Sequence, residues 1–234
     1  MIAYAMVLAA GRGNRLRPQT DSLPKPLFEI GGKALIDHVL DRLDEAGVEQ
    51  AVVNLSHLGA LIESHLAGRE TPRIAFSREP ERLDTGGGVA QALPQLGDHP
   101  FYVVNGKLLW RDGETGALAR LAQAWDDAAM DALLLVVPVA RAGGYVGAGD
   151  FFLAGNGAIA ARPKPGETAP WLFAGIQILH PRLFDEAPAG RFSLNLLYDR
   201  AMAAGRLFGV VHEDGWHHVA TPEGLAQART WFES

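Results

Sequence analysis

The amino-acid sequence predicts an α/β fold with a doubly wound, mostly parallel sheet and a small β-rich part. Short apolar runs alternate with segments in which apolar residues recur at helical spacing, as in strand–helix–strand units. The first apolar run ends at a glycine-rich turn, residues 11–13, the kind of connection at which open α/β sheets bind ligands. Because 48% of the 234 residues are hydrophobic and no linker is evident, we expect a single domain over residues 1–234.

The first half of the chain alternates regularly. Apolar runs predict strands at residues 4–8, 50–55, 74–76 and 101–104. Apolar residues three and four apart predict helices over 35–43, 58–66 and 85–93. Gly47 is placed to end the first helix, and Thr85 to cap the third. This alternation indicates parallel strands joined by helical crossovers.

The second half is less regular and is expected to hold the β-rich part. Strands are predicted at residues 132–139, 151–153 and 172–179. Helices are predicted over 115–129, 193–204 and from 222 onwards, with Ser193 capping the second. For the last helix, Thr221 offers a capping hydroxyl and Pro222 suits the first helical position.

Composition excludes several classes of function. The net charge is −6 and no run of Lys or Arg is long enough to follow a nucleic-acid backbone. Cysteine is absent, which excludes disulfides, thiolate zinc sites and a cysteine nucleophile. Neither a leader nor an apolar run of membrane-spanning length is evident. We therefore expect a cytoplasmic protein, a monomer, with no nucleic-acid or membrane partner.

Residues 11–26 combine glycines, arginines and a lysine held between prolines. Glycines allow backbone N–H groups to approach phosphate oxygens, and Arg15 offers a planar fork of donors. Pro24 and Pro26 restrict the backbone on both sides of Lys25, which orients its ammonium group. This combination predicts a site for a polyanion such as a nucleoside triphosphate.

Two familiar phosphate loops do not match this segment. No lysine follows the glycines at the spacing that a P-loop requires. The dinucleotide fingerprint requires a third glycine at the position of Leu16. A nicotinamide-dependent oxidoreductase is therefore disfavoured.

The string G-x-G-x-R-x-x-P-x-T at residues 11–20, followed by P-K-P at 24–26, resembles the sugar-phosphate nucleotidyltransferase family. The resemblance covers nearly the whole chain, through L-D-T-G-G-G (83–88), V-V-N-G (103–106), F-A-G-I (173–176) and W-H-H-V-A-T-P-E (216–223). The length of the chain and the residues of its motifs are most similar to those of the bacterial members that act on N-acetylmuramate α-1-phosphate. Short members that act on heptose or hexose phosphates are close alternatives.

The resemblance implies a Rossmann-like fold and transfer of UMP from UTP to a sugar 1-phosphate, N-acetylmuramate 1-phosphate in this subgroup. Pyrophosphate is released, Mg²⁺ is the expected cofactor, and the reaction belongs to peptidoglycan recycling. The same resemblance leaves the base open, because backbone contacts to a base are hard to recognise in a sequence.

Site residues are implied by the same matches. Arg15 would contact the β- and γ-phosphates and Lys25 the α-phosphate. The other nucleotide-binding candidates are Gly11, Arg12, Gly13, Thr85, Gly86, Gly87 and Asn105. The sugar-binding candidates are Asn54, Asp150, Phe173, Gly175 and Lys164. Structural roles remain open for Asn54 as a loop anchor, Asp150 as a turn residue and Lys164 as a surface lysine.

Both family positions for the metal are altered. Related enzymes hold Mg²⁺ with two aspartates, at the positions of Lys107 and His218. A charged lysine has no lone pair, and Mg²⁺ prefers hard oxygen ligands. Three readings stay open: Lys107 replaces the metal charge, Mg²⁺ binds elsewhere with help from Asp112, Asp214 or His218, or the protein binds its ligands without turnover.

Overall fold

The computed structural model describes residues 1–233. Its strands in chain order are β1 (Tyr4–Leu8), β2 (Glu29–Ile30), β3 (Lys33–Ala34), β4 (Gln50–Leu55), β5 (Arg73–Arg78), β6 (Phe101–Asn105), β7 (Leu109–Trp110), β8 (Ala132–Pro138), β9 (Ala142–Gly143), β10 (Phe152–Leu153), β11 (Ile159–Ala161), β12 (Trp171–Leu179), β13 (Leu207–Val211) and β14 (Trp216–His217). Its helices are α1 (Leu35–Glu45), α2 (Gly59–Leu66), α3 (Asp84–Leu96), α4 (Ala117–Ala124), α5 (Asn195–Ala203) and α6 (Pro222–Glu233).

A seven-stranded sheet of order β13-β8-β12-β6-β1-β4-β5 forms the centre of the molecule. Strands β5, β4, β1 and β6 are parallel, as are β8 and β13. Strand β12 is antiparallel to both of its neighbours. The chain runs from β1 to β4 and β5 on one side and returns to β6 on the other. The predicted α/β fold with a mostly parallel sheet is therefore confirmed, and its switch point lies between β1 and β6.

Helices cover both faces of this sheet because its strands are apolar on both faces. On β1, Ala5 and Val7 pack into the cluster that contains α1, α2 and α4. Met6, which points to the opposite face, packs with α3 and α5. A third cluster joins Leu16, which follows the glycine-rich turn in the chain, to Leu225 and Ala228 of α6.

Two local predictions need correction. The helix expected over residues 115–129 is only α4, because the chain becomes extended at Trp125. Thr85 lies inside α3 and does not cap it; its hydroxyl instead accepts a hydrogen bond from the amide of Leu194, 3.0 Å away. The predicted cap at Ser193 is confirmed, because its hydroxyl accepts a hydrogen bond from the amide of Asn195, the first residue of α5, at 3.3 Å.

Other local predictions are confirmed, and one strand of the seven-stranded sheet was missed, together with the short strands β2, β3, β7, β9, β11 and β14 outside it. The Thr221 hydroxyl accepts a hydrogen bond from the amide of Gly224 at 3.1 Å, and α6 begins with Pro222 as expected. Strand β13 was not predicted, because Gly209 interrupts its apolar run. No helix within residues 1–233 is both long enough and apolar enough to cross a bilayer.

Candidate active site

The glycine-rich turn leaves the end of β1 with its amides free. Gly13 has φ +65°, in the left-handed region, and its carbonyl accepts hydrogen bonds from the Leu16 amide at 2.8 Å and the Thr20 hydroxyl at 3.1 Å. In the described chain no protein atom accepts a hydrogen bond from the amides of residues 11–13. A Cβ on Gly11 would meet nothing within 4 Å, so open space lies beside this backbone. Such free, adjacent amides form an anion-binding surface.

Asn54, at the end of β4, anchors the start of this turn. Its Oδ1 accepts hydrogen bonds from the amides of Ala9 (2.6 Å) and Ala10 (3.3 Å), and its Nδ2 donates to Glu79 at 2.7 Å. The side chain is buried and its hydrogen-bonding capacity is largely used. Asn54 therefore serves as a loop anchor, and its contact with the sugar stays a prediction.

Beneath the turn lies a cavity of about 200 Å³, which we call the loop cavity. Its basic lining residues are Arg12, Arg15, Lys25, Arg82 and Lys107, and no acidic residue of the described chain lines it. Of these five cations, only Arg82 has a carboxylate nearby, Asp84 at 4.0 Å, in the part of the chain that the structure covers. Positive charge of this density, with so few neighbouring carboxylates, favours an anionic ligand.

The cations of the loop cavity affect one another. Lys25 is only 5% exposed, and its pKa is lowered to about 7 by burial, with further contributions from Lys107 and Arg15. Burial, together with Arg15 and Arg82, also lowers the pKa of Lys107. The same three cations, Lys25, Arg15 and Lys107, add to burial in lowering the pKa of His218 to about 4. His218 is consequently neutral at physiological pH.

A second cavity, of about 110 Å³, opens beside the first and is called the Thr85 cavity. It is lined by Leu8, Ala10, Gly11, Asn54, Glu79, Arg82, Asp84, Thr85, Asn105 and Lys107. Its two carboxylates are engaged by protein donors: Glu79 by Asn54 and the amide of Leu83, Asp84 by the amide of Thr85. Two predicted nucleotide-binding residues, Thr85 and Asn105, therefore share a cavity with Gly11.

Gly86 and Gly87 line neither the loop cavity nor the Thr85 cavity, and their contact with the nucleotide stays a prediction. Their amides both donate to the carbonyl oxygen of Phe192, at 2.9 and 3.1 Å. A Cβ on Gly86 would overlap the Phe192 ring, and one on Gly87 would overlap the carbonyl of Gly190. These glycines are needed because the 190–192 segment packs directly on α3.

A third cavity, of about 150 Å³, lies between β12 and β14 and is called the β12 cavity. Its lining includes Asn105, Lys107, Tyr145, Phe173, Gly175, Trp216 and His218. Gly175 has φ +79°, and a Cβ there would overlap the Asn105 side chain. It lies where the register between β12 and β8 shifts. The predicted sugar-site residues Phe173 and Gly175 are thus brought to one cavity.

The two remaining sugar-site candidates lie outside the linings of all three cavities. Asp150 accepts a hydrogen bond from the amide of Phe173 at 2.9 Å, and burial raises its pKa. Asp150 is therefore linked to the β12 cavity through Phe173, which lines that cavity. Lys164 lies in an exposed loop, where its amide donates to Glu167. This exposed position agrees with the surface role left open for Lys164, and its contact with the sugar phosphate stays a prediction.

The residues present do not fit a magnesium ion. Lys107 and His218 both line the β12 cavity, as the motif matches implied, but they supply an ammonium and an imidazole where hard oxygen ligands are needed. Across residues 1–233, no three His, Asp or Glu side chains are grouped so that they could hold a metal ion. Asp112 and Asp214 line none of these cavities; Asp112 pairs with Arg42, and Asp214 with Arg120.

Two cavity residues were missed at the level of sequence. Arg82 immediately precedes the L-D-T-G-G-G motif and lines both the loop and Thr85 cavities. Tyr145 lies in a glycine-rich segment, and its hydroxyl accepts a hydrogen bond from the amide of Gly149 at 3.2 Å. Proximity to a recognised motif was the only signal for Arg82, and none marked Tyr145.

The chain is similar to known proteins in sequence and in fold. A family model described as "Nucleotidyl transferase" matches residues 4–229. The N-acetylmuramate alpha-1-phosphate uridylyltransferase of Caulobacter vibrioides is 43% identical over 232 residues, covering 96% of each chain. The enzyme of the same name from Neisseria meningitidis is 37% identical over 229 residues, again covering 96% of each chain. The structure of HddC from Yersinia pseudotuberculosis complexed with GMP-PN superposes with a TM-score of 0.79 at 21% identity, covering 99% of this chain and 100% of that one.

Proposed function

Because the chain belongs to the nucleotidyl transferase family, we propose that it transfers UMP from UTP to N-acetylmuramate 1-phosphate and releases pyrophosphate. The names of the two relatives support this choice of base and sugar, and both relatives match nearly the full length of the chain. Peptidoglycan recycling is the process to which such an enzyme would contribute.

The observation that carries the proposal is the convergence of three cavities on one side chain. Lys107 lines the loop cavity, the Thr85 cavity and the β12 cavity. The loop cavity offers free amides and cations to a triphosphate, and the β12 cavity offers aromatic surface to a sugar. A reaction between two phosphates needs such an arrangement, in which two anions meet at a shared positive group.

The chemistry needs no nucleophile from the protein. An oxygen of the sugar 1-phosphate attacks the α-phosphorus, a new phosphorus–oxygen bond forms, and the bond to the bridging oxygen breaks. Pyrophosphate leaves with that electron pair. Arg15 and Lys25 would stabilise the charge that develops on the leaving pyrophosphate and the α-phosphate, while the turn holds both in line.

A matrix of pyrophosphate-release assays tests the proposal. UTP, CTP, GTP, ATP and dTTP are each combined with N-acetylmuramate 1-phosphate, glucose 1-phosphate and a heptose 1-phosphate. We expect the largest kcat/KM for UTP with N-acetylmuramate 1-phosphate. A larger value for any other pair would contradict the proposed substrates and identify the pair that replaces them.

A second candidate function is binding of nucleotide and sugar phosphate without turnover. The observation that favours it is the ammonium of Lys107 at the point where the two phosphates would meet, combined with the neutral His218. Saturable UTP binding with no pyrophosphate release from any substrate pair would support this alternative. Measurable release would exclude it.

A further inference from the structure

The charge inside the loop cavity is larger than a metal-chelated nucleotide needs. Five cationic side chains line it, and within the described residues none of Arg12, Arg15, Lys25 and Lys107 forms an ion pair. A triphosphate without metal carries four negative charges when fully ionised, and bound Mg²⁺ cancels two of them. The cavity therefore matches the charge of the metal-free anion more closely than that of the chelate.

The neighbouring side chains also leave no ligand set for a divalent ion. Both oxygens of Glu79 accept hydrogen bonds, from Asn54 at 2.7 Å and from the amide of Leu83 at 2.9 Å. Asp84 accepts one from the amide of Thr85 at 2.8 Å and lies 4.0 Å from Arg82. An ion entering between the loop cavity and the β12 cavity would instead face the ammonium of Lys107.

We propose that the polyphosphate tail of the nucleotide binds this protein as its metal-free anion, with the Lys107 ammonium supplying the positive charge between the two substrates. This proposal rests on the proposed nucleotide site, and it goes beyond that site by naming the charge state of the ligand. Mg²⁺ then competes with the protein for the phosphates, and its addition weakens binding.

Calorimetric titration at constant ionic strength tests the proposal with two probes, UTP and inorganic tripolyphosphate. Each is titrated into the protein in EDTA and again in excess MgCl₂. We expect both probes to bind at least tenfold more tightly in EDTA. Tighter binding of either probe in MgCl₂ would overturn the proposal.

Substitutions at Lys107, which lines all three cavities, test whether this residue causes the preference for metal-free UTP. The double variant Lys107→Asp/His218→Asp creates two carboxylates and is expected to reverse the preference, so that UTP binds at least tenfold more tightly in MgCl₂. Arg73→Asp changes net charge by the same amount as Lys107→Asp, at the amino end of β5 and away from the cavities, and should keep the wild-type preference. An unchanged preference in a folded double variant would contradict the role of Lys107.

Two further measurements distinguish failure of this proposal from misfolding of the double variant and from failure of the proposed nucleotide site. If circular dichroism shows the double variant to be unfolded, Lys107→Met replaces it, and we expect its EDTA preference to shrink to less than threefold. Binding of tripolyphosphate but not UTP in EDTA would support metal-free phosphate binding while contradicting the proposed nucleotide substrate. Binding of neither probe in either buffer would overturn the proposal.

Discussion

The loop cavity and the β12 cavity share Lys107 but differ in the chemistry of their other lining residues. The loop cavity is lined by five cations and free backbone amides, so it responds to charge. The β12 cavity is lined by Tyr145, Phe173, Trp216 and a neutral histidine, so it responds to shape and apolar contact. This difference is the basis of our proposal that the loop cavity binds the phosphates and the β12 cavity selects the sugar. Substitutions should therefore separate the two.

The largest expected effect comes from the residue that both cavities share. In the presence of Mg²⁺, Lys107→Asp should raise uridylyltransferase turnover by about 100-fold or more, because a metal ion held by protein oxygens supplies several kcal/mol of transition-state stabilisation. Steady-state pyrophosphate release measures this. Equal turnover of the two forms at saturating Mg²⁺ would show that position 107 does not limit the reaction.

A change confined to the loop cavity should affect nucleotide binding. Lys25→Met should raise the Kd for UTP by about 100-fold, because it removes a buried charged donor worth ~3 kcal/mol to a phosphate. Lys33→Met is the matched control, since Lys33 is half-exposed and pairs with Asp41 outside the cavities. A similar loss in both variants would contradict the assignment of Lys25 to the phosphates.

Substitution of Gly87, in the glycine pair of α3, tests whether these glycines are needed for packing or for contact with the ligand. Gly87→Ala should lower the free energy of unfolding by about 2 kcal/mol, because its Cβ would overlap the Gly190 backbone. Gly68→Ala, where a Cβ would meet nothing within 4 Å, should change it by less than about 0.5 kcal/mol. Urea denaturation measures both. A stable Gly87→Ala with impaired UTP binding would restore a ligand role for this glycine.

The pH dependence of UTP binding tests the protonation of Lys25 in the loop cavity. The pKa of Lys25 is lowered to about 7 in the free protein, so the ammonium is lost as the pH rises above that value. A bound phosphate favours the charged form and raises this pKa, so UTP binding takes up a proton. The Kd should therefore increase about tenfold from pH 7.5 to 8.5, where the charge of UTP is already constant. Calorimetry in two buffers of different ionisation enthalpy measures how many protons are taken up when UTP binds. If Lys25→Met takes up the same number of protons, a group other than Lys25 is responsible.

The smallest expected effect lies in the β12 cavity. Phe173→Ala should raise the KM for the sugar 1-phosphate by about fivefold, through loss of an apolar contact worth ~1 kcal/mol, and leave the Kd for UTP within twofold. Steady-state kinetics and calorimetry give the two values. A parallel loss in both would show that the cavities do not act separately.

Most of the first half of the fold was predictable from sequence. Strands β1 and β4 have the predicted bounds, and α1 covers the predicted helical segment. These elements are defined by apolar periodicity, a local property. The second half was predicted less well: α4 is shorter than expected and β13 was missed. Both errors concern segments whose structure depends on packing against neighbours distant in sequence.

In the candidate site, too, local features were predictable from the sequence, whereas features that depend on contacts distant in sequence were not. Arg15, Lys25 and the glycine-rich turn belong to one short segment, and the sequence placed them together. Asn54 was left between two roles, because only the fold shows that its amide meets the backbone of Ala9 across two parallel strands. Gly86 and Gly87 were assigned to the nucleotide because the segment that packs on them, 190–192, lies about a hundred residues away.

The sequence by itself determined the α/β fold, the anion-binding turn, the start of α6 and the altered identity of positions 107 and 218. Each of these depends on residue type at short spacing, where backbone dihedrals, capping groups and formal charges act directly. Only the tertiary structure decided that Lys107 shares one cavity lining with Arg82 and another with Tyr145, and that Lys25 is buried among cations. Burial, cavity shape and the pKa of a side chain depend on which distant surfaces come into contact, and no local spacing records that.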